Sequence, residues 1–212
     1  MTVKPDPVEN APHIPLTSLW AGRTSTYGGD DYAEMILALR RFQAALAGAR
    51  PEIADIAALT ATLDGWTERL AAVAVDEAHQ VYSRRLDLPG RGQASWPPVR
   101  FLRLADDGFD ATVTFARNFL GRGGAVHGGV VAMVFDEVAG ALSNAGSRSV
   151  ARTAYLRTDY RSITPLDVEL TLTGKFLREE GRKRFLHVTL RDGERLCAEA
   201  EILMVALKPG QP

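Results

Sequence analysis

The residues of this 212-residue chain best suited to chemistry fall between His127 and Asn144. The run His127-Gly128-Gly129 opens a stretch of helical periodicity, and Asp136 and Glu137 sit inside it. At 3.6 residues per turn, Val130, Val131, Val134, Phe135, Val138, Ala141 and Leu142 cover a wide arc. A helix apolar around so much of its circumference is expected to be buried. Asp136 lies off this bulk, beside the small residues Gly129, Ala132, Gly140 and Ser143, with Glu137 at the stripe's margin. Small residues let another backbone or a ligand come close. A carboxylate in such a desolvated contact needs a partner or a use. It is either half of a structural ion pair or a group of raised basicity, and spacing alone leaves both open. At the helix start, Gly128 and Gly129 can present bare N–H donors at the positive end of the helix dipole. Such donors stabilise an oxyanion formed from a carbonyl. They stand about two and a half turns from Asp136, too far to hold one reacting atom with it, so a second subunit would have to bring its own helix alongside.

The elements that must position this helix follow from pattern. Residues 1–30 are rich in Pro, Gly, Ser and Thr and read as an extended arm. Residues 31–88 read as a helical extension. Tyr32, Met35, Ile36, Leu39, Phe42 and Leu46 recur at helical spacing behind Asp30-Asp31, and Gly48 and Pro51 break the run. Ile53, Ile56, Leu59, Leu63, Trp66 and Leu70 form a second helix, with the alanine-rich run to Ala78 extending it or forming a third. Both are expected to pack on the main domain, covering part of it. Residues 89–212 form that domain. A proline-rich loop to Pro98 is followed by a strand in which Phe109, Ala111, Val113 and Phe115 alternate with polar residues. After the central helix come four strand-like runs, Ala151–Arg161, Val168–Leu177, Arg184–Arg191 and Leu196–Leu207, with turns at Glu179–Arg182 and Asp192-Gly193. The order predicts an α+β meander wrapped around one helix.

Several classes are excluded or disfavoured. Lys plus Arg total 25 against 26 Asp plus Glu, so no charge excess points to nucleic acid or a membrane surface. The single cysteine forbids an intrachain disulfide and a multi-cysteine zinc site. The four histidines show no metal-ligand spacing, and neither a metal nor a cofactor is expected. The glycines from Gly121 to Gly129 fit neither a phosphate-binding loop nor a dinucleotide fingerprint. No Gly-x-Ser-x-Gly motif occurs. No apolar run suits a membrane span or a signal peptide, and the expectation is a cytoplasmic protein.

The run from His127 through Asp136 and Glu137 resembles the His-Gly-Gly…Asp signature of hotdog-fold thioesterases of the PaaI-like and human thioesterase-superfamily-member type. Trp96-Pro97-Pro98 is similar to the proline pair that opens the domain in some bacterial relatives. The segment Tyr160 to Leu166, with Pro165, is similar to the family's Tyr-x-x-Pro strand end. The resemblance covers about residues 92–207. It implies a hotdog fold, paired as a dimer or dimer of dimers, with sites at the subunit interface and an acyl-CoA as partner. It implies hydrolysis of an acyl-CoA to free acid and CoA, and the small residues and valines of the helix fit an apolar tunnel for a medium- or long-chain or aryl-acyl group. Asp136 would activate water or attack the thioester carbonyl, and the N–H of Gly128 or Gly129 from the other subunit would polarise that carbonyl. Thr153 falls where relatives place a water-orienting hydroxyl, although it also reads as an ordinary strand threonine. His127 would orient the loop at the helix start, and Glu137 would contact substrate or share the acid–base work. Arg161, Arg182 and Arg184, with Lys183, are candidate contacts for the CoA phosphates. One departure stands out: some relatives carry Asn or Gln six residues before the histidine, where this chain has Gly121, with Asn118 nearby. Two other functions remain open, a non-catalytic acyl-CoA-binding hotdog module and a hotdog dehydratase or hydratase.

Overall fold

The computed structural model describes residues 13–19 and 24–211. Of the arm expected over residues 1–30, residues 1–12 and 20–23 lie outside the described residues. The apolar–polar alternation of the C-terminal half builds one antiparallel sheet from six strands. These are β1 (Arg100–Leu104), β2 (Gly108–Thr114), β3 (Ala151–Tyr160), β4 (Glu169–Glu180), β5 (Lys183–Asp192) and β6 (Arg195–Ala206). The order across the sheet is β1-β2-β4-β5-β6-β3. β4, β5 and β6 form a meander whose two turns centre on Gly181 and Gly193, both at positive φ. Two details depart from the sequence expectation. β1 is an additional strand, and β3 does not begin the meander but crosses to the far edge and pairs with β6.

The long helix α3 (Gly128–Asn144) lies across one face of this sheet. Val131, Val134, Phe135, Val138 and Leu142 are all but fully buried. They meet the alternate inward residues Leu170 and Leu172 of β4, Leu186, Val188 and Leu190 of β5, and Ile202 and Met204 of β6. This is the period of 3.6 fitted to the period of 2. Phe109 on β2 lies opposite Gly174 on β4, and a Cβ at Gly174 would fall inside the Phe109 ring. A glycine is therefore required for the ring to cross the strand.

The N-terminal helices behave differently from one another. α1 (Gly29–Gly48) is docked: Ile36 is buried, the Tyr32 hydroxyl donates to Gly92 O, and Arg40 donates to the carbonyls of Pro89 and Gln93. Burial, with Arg100 adding, lowers the Arg40 pKa to about 10. α2 (Ile53–Ala71) has no buried residue, so the expectation that both helices pack on the domain holds for α1 alone. The alanine-rich run past Ala71 forms turns rather than a third helix. Of the described arm, Ile14 N–H donates to Phe101 O, Leu16 N–H donates to Leu86 O, and Leu16 is buried. No helix among the described residues is long and apolar enough to cross a membrane.

Candidate active site

α3 starts with its cap supplied by a ring. His127 lies outside the helix in extended geometry, and its Nδ1 accepts from Gly129 N–H at 3.0 Å. That places the ring proton on Nε2. It also takes up one of the two donors considered for a carbonyl oxygen. The N–H of Gly128 has no acceptor among the described residues, so Gly128 is the open donor of the pair. Position 128 requires glycine for a second reason. The Tyr160 hydroxyl donates to Gly128 O at 2.7 Å, and an added Cβ would press on the Tyr160 ring at 3.2 Å. The loop before the helix is held by Val126 N–H donating to Thr164 O, so the Tyr160–Pro165 segment braces the start of α3. Gly121 approaches the backbone of His127 so closely that a Cβ would sit 2.9 Å from its Cα. Asn118 lines a separate cleft beneath α1, away from Asp136 of its own chain.

Asp136 lies two turns down the helix on its open side. The sequence pattern implied a desolvated carboxylate, but in the single chain Asp136 is exposed, and of the small residues beside it only Ser143 is buried. The Thr153 hydroxyl on β3 donates to Asp136 Oδ1 at 2.6 Å. Asp136 Oδ2 has no partner among the described residues. Around the pair opens a cleft of about 350 Å3. Gly140 and Asn144, at four-residue steps from Asp136, form its floor, and Arg152, Thr153 and Met204 form one wall. Glu137 also borders it and pairs with Arg91 at 2.8 Å, its side chain only 11% exposed. Burial raises the Glu137 carboxyl above its ordinary value, with the Arg91 guanidinium opposing and the Asp136 charge adding. Glu137 is thus engaged with an internal cation rather than open to a substrate.

The remaining lining of the cleft was not legible in the sequence. It is the connector between α2 and the sheet, which contributes Gln80, Ser83, Arg84 and Arg91. Arg91 stands at φ +56° between Gly90 and Gly92, also left-handed, in a tight turn over Pro89–Gly92. Its guanidinium lies 5.9 Å from the Trp96 ring centre. The Pro-Gly-Arg-Gly spacing marks a turn, but only the fold brings it to Glu137.

The basic residues expected to form one phosphate site are separated. Arg161 lies past the end of β3 near the start of α3 and pairs with Glu199 at 2.8 Å. Arg182 and Arg184 lie at the other end of the sheet, where β5 begins beside the end of β6. The ten residues of β3 between these ends span roughly 30 Å. Arg184 cannot serve as a surface contact. Its side chain is 3% exposed, pairs with Glu179 at 2.9 Å, and donates to Ser143 O and Ser149 O at the C-terminus of α3. There a cation complements the helix dipole. Arg182 is exposed and donates to Ala206 O.

With this geometry in place, likeness to known proteins is informative. Residues 123–203 match the family model of the thioesterase superfamily. The sheet unit with α3 has the hotdog fold and is similar over this stretch to the thioesterase superfamily. A crystal structure of a thioesterase superfamily protein superposes with a TM-score of 0.69 at 29% identity, covering 82% of this chain and 94% of that one. That coverage exceeds the sheet unit and takes in part of the N-terminal extension. The acyl-coenzyme A thioesterase THEM4 of Rattus norvegicus is 34% identical over 94 residues, 43% of this chain and 40% of that protein. Its Mus musculus counterpart is 35% identical over 91 residues, covering 42% and 39%. The aligned part thus spans about two-fifths of the length of these curated relatives.

Proposed function

We propose that this chain hydrolyses acyl-CoA thioesters to the free acid and CoA. The observation that supports this best is Asp136 at the floor of an open cleft, with one carboxylate oxygen held by Thr153 and the other without a partner. In the base route, Oδ2 takes a proton from water, the water oxygen adds to the thioester carbonyl, and the C–S bond breaks to release the CoA thiolate, which takes up the proton. In the nucleophile route, Oδ2 attacks the carbonyl itself, the C–S bond breaks to release the CoA thiolate, and water then cleaves the resulting anhydride to the acid and the Asp136 carboxylate, its second proton going to the thiolate. Either way negative charge builds on the carbonyl oxygen, and the open N–H of Gly128 at a helix N-terminus is suited to receive it. Gly128 and Asp136 of one helix are about 12 Å apart along the axis. The working pair therefore comes from two subunits, and the enzyme is a dimer or dimer of dimers. The exposed edge strand β3, with Tyr155 in solvent, fits such an assembly.

The expectation of a medium- or long-chain or aryl-acyl group rested on the valines of α3. Val131, Val134 and Val138 are spent in the core against the sheet and do not line the cleft. The cleft walls are mostly polar, which favours a shorter, more polar acyl group.

The test is release of free thiol from a panel of acyl-CoAs by wild-type protein and by Asp136→Asn. Turnover by the wild type and its loss in the variant is the expected result. Equal turnover by both would remove Asp136 from the reaction. Single turnover in 18O-labelled water tests the nucleophile route, because label in Asp136 arises only when water cleaves an Asp136 anhydride at its Cγ.

A further inference from the structure

The connector that lines the cleft carries a cation, Arg84, whose side chain has no ion-pair or hydrogen-bond partner among the described residues. Among the described residues four non-glycine positions have positive φ, and two of them, Ser83 (φ +70°) and Arg91 (φ +56°), border this cleft. Left-handed backbone at such residues is unfavourable and persists where the surroundings hold it, commonly at ligand sites. Arg84 lies next to Ser83 on a pinned backbone: its N–H donates to Val81 O at 2.9 Å, and its carbonyl accepts from Ser25 N–H at 2.8 Å. The neighbouring Arg85 and Leu86 are buried, with Arg85 bound to Asp87 and to Gly29 O. The platform is therefore rigid.

The charges of the cleft do not cancel once Asp136 is set aside for the reaction. Arg84, Arg91 and Arg152 face Glu77 and Glu137. The Arg91–Glu137 pair is closed on itself at 2.8 Å. Glu77 is exposed and, like Arg152, has no side-chain partner among the described residues. Arg84 is half-buried, and its guanidinium makes no ion pair or side-chain hydrogen bond among them. A planar, permanently charged group in this position matches a carboxylate in two-pronged fashion. Arg84 and Asp136 line one cleft of about 350 Å3, so a short acyl group whose carbonyl is held at Asp136 can reach Arg84. The pantetheine arm would carry the CoA phosphates well away from that point.

We propose that Arg84, assisted by Arg152, recognises an anionic group at the far end of the acyl chain, so that the substrates are short acyl-CoAs ending in a carboxylate. This rests on the thioesterase reading and names its substrate class. The connector outside the family match thereby becomes the specificity element.

The experiment compares glutaryl-CoA with valeryl-CoA, equal in chain length, for wild type, Arg84→Gln and Arg84→Lys, with the same acyl groups also presented on N-acetylcysteamine. The wild type is expected to favour the glutaryl thioester on both carriers. Arg84→Gln should lower kcat/KM for glutaryl-CoA about ten- to a hundred-fold, the loss expected for charge-assisted hydrogen bonds, and leave valeryl-CoA unchanged. Arg84→Lys should recover part of the loss. Turnover without a glutaryl preference overturns the proposal and leaves the thioesterase reading standing. A penalty shared by both acyl groups on CoA and absent on N-acetylcysteamine assigns Arg84 to the CoA phosphates and also overturns it. Equal loss on every substrate together with dissociation by light scattering places Arg84 in a subunit contact, with the same consequence. Inertness of the wild type toward every thioester sinks the thioesterase reading and the proposal with it.

Discussion

Helices α2 and α3 are of similar length, and both carry an apolar stripe, yet they end in opposite environments. In α3 the stripe is closed against the sheet, with Phe135 and Val138 fully buried. In α2 the corresponding residues stand in solvent, Ile53 at 85% and Leu70 at 64% exposure. Periodicity reports that a helix has a face to bury. It does not report what will bury it, because that depends on residues far away in sequence. For α3 the partners are β4, β5 and β6, which follow within the same domain. For α2 no described residue of the chain supplies one.

Substitutions on the two helices test this contrast. The largest expected effect lies on the open side of α3. Asp136→Asn keeps the shape but removes base and nucleophile, so kcat should fall by about two to four orders of magnitude. The melting temperature should hold, since the exposed carboxylate packs no core. A variant that unfolds instead would make Asp136 a structural group. Next is the closed side: Phe135→Ala should destabilise the fold by about 3–5 kcal/mol, read by denaturant midpoint. If it costs no more than an α2 substitution, the core assignment of α3 is wrong.

Arg184→Met tests the C-terminal anchor of the same helix. Removing this buried cation leaves the carbonyls of Ser143 and Ser149 without their donor, at an expected cost of about 2–3 kcal/mol. Chemical denaturation measures it, and KM for any CoA thioester should not respond.

The fourth test concerns the arm beside β1. His13 Nδ1 accepts from Phe101 N–H, and burial, with Arg100 adding and Asp87 opposing, lowers its pKa to about 4. The folded value lies below the unfolded value of 6.5. Between them the unfolded chain binds more protons, so this contribution is complete above pH 6.5 and declines as pH falls toward 4. Melting temperatures across that window should drop with acid, and His13→Asn should flatten the slope. The smallest effect belongs to α2. Trp66→Ala, at a side chain 56% exposed, should change stability by less than about 0.5 kcal/mol. A loss of several kcal/mol would reveal a partner for this helix.

Much of the molecule was written locally. The end of α1 at Gly48 ahead of Pro51, the strand alternation at Phe109–Val113, the turns at Gly181 and Gly193, and the length of α3 all follow from neighbours in sequence. Local sterics and periodicity decide them. The strand β1 was missed because Arg100–Leu104 lacks a clean alternation, and it is a strand only because β2 offers it hydrogen bonds. The juxtaposition of Asp136 and Thr153 came through family likeness and has its geometry from β3 lying beside β6 at the sheet edge.

Residue pattern was enough to require one apolar helix beginning at His127-Gly-Gly, strands to wrap it, and one carboxylate standing off its apolar side. Tertiary structure alone decided four things: the exposure of Asp136 in the single chain, the commitment of Gly129 N–H to His127, the burial of Arg184 and the arrival of Arg84 and Arg91 at the cleft. The reason is physical. Periodicity sets which way a side chain points on its own element. Exposure, pairing and charge balance depend on groups that the folded chain brings from tens of residues away, and no local pattern encodes their distance.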